Sequence, residues 1–187
     1  EYASKVSEFG CLPHRTIPYL AASPDGIVTD DLSPRFGRML EIKNIFNRDI
    51  TGIPKKEYWI QMQLQMEVCE LNECDFLETR FKEYDSHSDF VEDGTFTHSA
   101  DDKMKGMILY FNNNGMPLYE YAPLGITSAE YDSWEETMTA KHDGLTLVRT
   151  IYWKLDEVSC VLVLRNQTWF NHVKPQLDVF WSKIEHD

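Results

Sequence analysis

"SPDGIV" at residues 23–28 and "RMLEIKNI" at residues 38–45 decide how this chain is read. The first opens with Ser23, Pro24, Asp25 and Gly26, four turn formers, each favoured for its own backbone reason. The second has the period of a strand. Met39, Glu41, Lys43 and Ile45 fall on one face, and Leu40, Ile42 and Asn44 on the other. A carboxylate and an ammonium therefore point the same way, shortly after a turn that carries a second carboxylate.

Working outward, "TIPYLAA" (16–22) reads as a short strand before the turn, and "GIVT" begins another. "KEYWIQMQLQMEVCEL" (56–71) is the clearest helix, with Ile60, Leu64, Val68 and Leu71 as its apolar stripe. Gln61 and Gln65, four residues apart, lie one above the other beside that stripe, and Gln63 points elsewhere. "CDFLETRFKEY" (74–84) is a strand, and residues 85–104 are an acidic loop or insertion. "KGMILYF", "NNNG" and "MPLYEYA" spell a hairpin. Thr127 or Ser128 caps a helix of roughly 129–141. One or two strands follow, then a closing helix (168–186) with a kink or restart at Pro175. This order predicts a mixed α/β or α+β domain.

Length and composition bound the reading. The 187 residues suffice for one domain with a proper core, and 42% hydrophobic with 26% charged residues is ordinary globular composition. No apolar run is long enough to span a bilayer. The start, "EYASKVSEFG", has no signal-peptide core and no initiator Met, so it reads as cut or processed. Four scattered cysteines without a CxxC pair predict a reduced, intracellular setting.

The net charge of -13 argues at first against a nucleic-acid partner. Its distribution changes that. Residues 1–66 balance eight acidic against eight basic side chains, whereas 67–187 hold 23 against ten. The half that carries the unusual motifs is neutral.

Asp25 and Glu41 on neighbouring strands become favourable together around a hard divalent cation. Mg²⁺ or Mn²⁺ takes oxygen ligands of this kind, and the Ile42 carbonyl is a further oxygen. Lys43 can orient a water and stabilise negative charge in a transition state. Metal, water and cation together describe phosphodiester hydrolysis, with Gln61, or Gln65 one turn on, as the accessory. Alone, an E-x-K or an S-P-D-G is usually a solvated strand face or a plain turn. Their occurrence in order, before a glutamine-bearing helix, singles them out.

"YLAASPDGIV", "MLEIKN" and "YWIQMQLQMEV" resemble the lambda-exonuclease-type, YqaJ-like viral recombinase members of the PD-(D/E)xK nuclease superfamily, most closely those of large DNA viruses. "EFGCLPH" and "IYWKLDEVSCVLVLRN" look similar to the same family, so the likeness runs from about Glu8 to Trp181. The resemblance implies a restriction-endonuclease-like core, a mixed central sheet flanked by helices, in one nuclease domain over 1–187. It implies Asp25, Glu41 and the Ile42 carbonyl as metal ligands, Lys43 acting on the water, and Gln61 as the helix glutamine. It implies 5′→3′ exonuclease action on double-stranded DNA ends, a ring-shaped homotrimer, a single-strand annealing protein as partner, and an intracellular place at a viral replication site. The family has an earlier helix with a further acidic residue and groups for the 5′ phosphate, which a chain starting at Glu1 would lack.

Other classes stay open. An endonuclease shares the chemistry and differs in the channel. A binding or scaffold domain would keep the fold with an incomplete metal site. A glycosidase pair of Asp25 and Glu41 leaves Lys43 unexplained. His87 with Asp89, and His98 with Asp101 and Asp102, are candidates for a second metal site but more simply belong to a solvated acidic loop. His14 lies within reach of the SPDG strand in sequence, with packing the plainer role.

Overall fold

The computed structural model describes residues 4–186. The chain divides into two compact units, the first made of residues up to Thr79 and from Val158 on, the second of Arg80–Glu157.

The first unit contains β1 (Val6–Ser7), β2 (Leu12–Pro13), β3 (Ala21–Ala22), β4 (Gly26–Val28), β5 (Met39–Asn44), α1 (Lys56–Cys69), most of β6 (Glu73–Glu83), the end of β9 (Thr146–Leu164) and α4 (Gln167–His186). Its sheet order is β1-β4-β5-β6-β9. β4 runs antiparallel to β1 and β5, whereas β5 and β6 are parallel, in register from Met39↔Cys74 to Asn44↔Thr79. A parallel pair needs a crossover, and α1 supplies it. The side chains that β5 and β6 turn toward α1 make the core: Met39, Cys74 and Phe76 close on Met62, Met66 and Val163. The expected mixed sheet flanked by helices is the observed fold.

Four sequence expectations change in detail. Gly26 has no left-handed backbone; a Cβ there would stand 2.4 Å from Val6 Cγ1. Its glycine is required by the close approach of β1, not by a turn angle. Of "TIPYLAA" only Ala21–Ala22 is extended, paired with Leu12–Pro13, because Leu20 closes a turn onto the Ile17 carbonyl. The apolar stripe on α1 is not Ile60–Leu64–Val68–Leu71. Met62, Gln63, Gln65, Met66 and Val68 are the buried positions, since the helix packs on β2, β3 and α4 as well as on the core. Glu70, at φ 56°, ends it in the left-handed cap, and Leu71 N–H returns to the Met66 carbonyl. α4 runs through Pro175 as one helix.

The second unit takes the end of β6, α2 (His87–Glu92), β7 (Lys105–Asn113), β8 (Met116–Tyr121), α3 (Ser128–Lys141) and most of β9, in the sheet order β6-β9-β7-β8. Asn114 and Gly115, both at positive φ, turn the β7–β8 hairpin. Thr127 and Glu130 cap α3 reciprocally. The acidic segment is ordered around one buried cation. Lys105 Nζ donates to the carbonyls of Phe90, Asp93 (2.6 Å) and Thr95 (2.8 Å) and lies 4.1 Å from the centroid of the Phe90 ring. Asp93 accepts from the Ala100 amide, Tyr84 and Lys154, and these bonds hold its carboxyl well below the usual range. The second metal site does not form: among the described residues no three His, Cys, Asp or Glu side chains gather to hold a metal. His87 lies against the Tyr152 ring, and Asp101 accepts from Ser99.

Among the described residues all four cysteines are free thiols, and no helix is long and apolar enough to cross a membrane.

Candidate active site

The pairing of β4 with β5 ends at Gly26↔Leu40. Beyond it the free edge of β5 meets the turn, and Asp25 Oδ2 accepts the Ile42 N–H at 2.7 Å. A strand residue sends its N–H and its carbonyl to the same edge, so the Ile42 carbonyl also leaves β5 on the Asp25 side. The turn thus replaces a missing strand partner with a carboxylate.

Glu41 faces α1 and is 1% exposed. Three donors hold it there. Lys43 Nζ and Gln61 Nε2 (2.7 Å) donate to Oε1, and Gln65 Nε2 donates to Oε2 at 2.9 Å. Helical spacing places Gln61 and Gln65 on the same carboxylate, one on each oxygen. Gln63 does point elsewhere. Its amide donates to the Leu164 carbonyl and accepts from Asn166 N–H, tying α1 to the end of β9 and the start of α4. Gln65 Oε1 is a buried acceptor without a hydrogen-bond partner. Beneath the site, burial and then the neighbouring Glu41 charge push the Cys74 thiol far up.

The structure therefore gathers Asp25, Glu41, Ile42, Lys43, Gln61 and Gln65. Among the described residues the ring of His14 instead accepts the amides of Thr16 and Ile17 and closes its own turn. Sequence reasoning missed Tyr58, Arg48 and Glu78. The Tyr58 ring lies 5.3 Å from Lys43 Nζ and 5.5 Å from Arg48 Cζ. Arg48 pairs with buried Glu78, the β6 residue registered on Lys43. The only sequence signal was parity: Cys74, Phe76 and Glu78 alternate on one face.

A mixed sheet with a buried E-x-K on a strand, an acidic turn beside it and glutamines on the crossover helix is the arrangement that the sequence resemblance implies. Comparison places the chain more closely. Residues 1–72 match the model of the YqaJ-like viral recombinase domain, and that stretch holds all six gathered residues. An uncharacterised protein of Acanthamoeba polyphaga mimivirus is 33% identical over 215 residues, covering 96% of this chain and 39% of the relative. The crystal structure of an alkaline exonuclease from Laribacter hongkongensis matches the fold with a TM-score of 0.50 at 19% identity, over 98% of this chain and 58% of that one. The chain spans well under two thirds of either protein. The resemblance read from the sequence is borne out by the family match over residues 1–72 and by the fold.

Proposed function

We propose that this chain is the catalytic domain of a divalent-metal-dependent nuclease that digests linear double-stranded DNA from a 5′ end. The observation that carries the reading is Glu41: a carboxylate at 1% exposure, gripped by Lys43, Gln61 and Gln65, one peptide from the amide that holds Asp25. Such an investment of donors in one buried carboxylate has no need in a core already filled by Met39 and Phe76.

The residues fit Mg²⁺ or Mn²⁺. Asp25, Glu41 and the Ile42 carbonyl form an all-oxygen donor set of the kind hard cations take. A carboxylate oxygen retains lone pairs beyond those its present donors use. A bound metal would supply Lewis acidity toward the phosphate and lower the pKa of a water. The chain's own residues do the rest. Gln61 and Gln65 fix the orientation of the Glu41 carboxylate, and Asp25 fixes the Glu41–Ile42 peptide through its N–H. Lys43 keeps an ammonium at the site that can hold a water and offset charge gathering on phosphate oxygens. The 5′→3′ direction, a trimeric ring, an annealing partner and a role in viral recombination rest on the family resemblance.

The test is digestion of 5′-phosphorylated linear duplex with Mn²⁺, with Lys43→Ala and a covalently closed circle as controls. Loss of the linear DNA alone, and only with Lys43 present, supports the exonuclease. Cutting of the circle moves the reading to an endonuclease. Intact DNA in both cases overturns the catalytic reading of this chain.

A further inference from the structure

Glu78 sits beside Lys43 in the parallel β5–β6 register and is 0% exposed. One of its oxygens accepts from Arg48 Nη2, and the other, Oε2, is buried without a hydrogen-bond partner. Burying an ion is costly even after relaxation, and an unsatisfied oxygen adds to that. Two residues earlier on the same face, beside Glu41, β6 places Phe76. Stability alone would favour another apolar side chain at 78.

What the carboxylate does is hold Arg48. The other arm of the guanidinium, Nη1, donates to the Asp49 carbonyl at 3.1 Å. Arg48 thereby shares the Tyr58 ring with Lys43. Exposure sorts the four charges by sign: the side chains of Lys43 and Arg48 are 23% and 18% exposed, those of Glu41 and Glu78 1% each. Within these two pairs the cation is the partner nearer solvent, and the exposed carboxylate of the site is Asp25.

We propose that Glu78 is a positioning residue of this site: its buried carboxylate holds the Arg48 guanidinium beside Lys43, where the planar fork of donors meets the phosphate backbone of DNA. The inference rests on the nuclease reading and adds a residue outside the matched 1–72 segment. Glu78 itself touches no substrate; it acts through Arg48.

The experiment is equilibrium binding of a short fluorescent 5′-phosphorylated duplex by the whole chain, with Ca²⁺ in place of Mg²⁺, over a range of salt. Arg48→Gln should weaken binding about tenfold and reduce the slope of log affinity against log salt by about one. Glu78→Gln keeps the shape and should weaken binding about threefold to tenfold. Combined with Arg48→Gln it should add nothing further, the non-additivity expected of a residue acting through another. The double variant also leaves no buried ion alone, so it reports even where a single variant melts early. Overturning results are Glu78→Gln binding like the wild type, its loss adding in full to that of Arg48→Gln, or a double variant with wild-type affinity and salt slope. A wild-type chain that binds no duplex overturns the nuclease reading as well.

Discussion

Asp25 and Ile42 are joined by one hydrogen bond, carboxylate to backbone amide at 2.7 Å. It places the acidic group of a turn against the strand edge from which the Ile42 carbonyl leaves. The site is therefore built on a peptide unit as much as on side chains. Substitutions at Ile42 that keep the strand should be mild, whereas changes at its two neighbours should not.

Glu41→Ala should abolish Mn²⁺ binding measured by calorimetry and leave Lys43, Gln61 and Gln65 without their acceptor. Gln65→Leu, which removes one donor to that carboxylate, should lower metal affinity about 10–100-fold, the usual cost of losing a group that orients a ligand. Unchanged binding by Glu41→Ala removes Glu41 from the ligand set, and unchanged binding by Gln65→Leu removes the orienting role of Gln65.

Lys43→Ala should separate binding from chemistry. Mn²⁺ affinity should be retained or raised, because the ammonium that pairs with Glu41 is gone, while cleavage falls about 10²–10⁴-fold. A parallel loss of metal binding would make Lys43 structural.

Gln63→Leu tests the opposite expectation on the same helix. It breaks the bonds to Leu164 and Asn166, both exposed residues whose backbone groups water can reach, at a cost of about 0.5–1.5 kcal/mol in urea denaturation. Metal affinity should not change. Gly26→Ala, whose new methyl would meet Val6 Cγ1 at 2.4 Å, should cost about 1–3 kcal/mol by overpacking.

Cys74 predicts a pH dependence. Burial first, then the Glu41 and Asp75 charges, raise the native thiol far above its ordinary value. The unfolded thiol ionises near pH ~8.5 while the native one stays neutral. Its contribution to stability is whole below that pH and falls as pH rises, by at most about 1.4 kcal/mol per unit. Urea midpoints at pH 8 and pH 10, compared with Cys74→Val, should show a steeper fall in the wild type. At pH 8 a thiol reagent should label exposed Cys11 and spare Cys74 until the chain unfolds.

Much of the site was legible because it is local. Period two put Glu41 and Lys43 on one face, and period 3.6 aligned Gln61 with Gln65, so the cluster followed from spacing and a short crossover. The α1 stripe was misassigned because a helix packed on several sides has no single apolar face, and its polar Gln63 and Gln65 are buried by bonds rather than by hydrophobicity. Arg48 left no signal, and Glu78 only the strand parity it shares with Cys74 and Phe76. Their meeting depends on the β5–β6 register and on a loop that folds back, neither of which leaves a period in the sequence. Lys105 likewise hid among acidic residues, since its partners are backbone carbonyls.

Residues 80–157 enter the chain as one uninterrupted stretch, and its two ends lie side by side, with Arg80 Nη1 2.7 Å from Glu157 Oε1. A segment whose ends already touch can be lengthened, shortened or exchanged at little loop-closure cost. It is a cassette: an exchange within 80–157 leaves the 54 positions from Asp25 to Glu78, which hold all the gathered residues, uninterrupted in the chain.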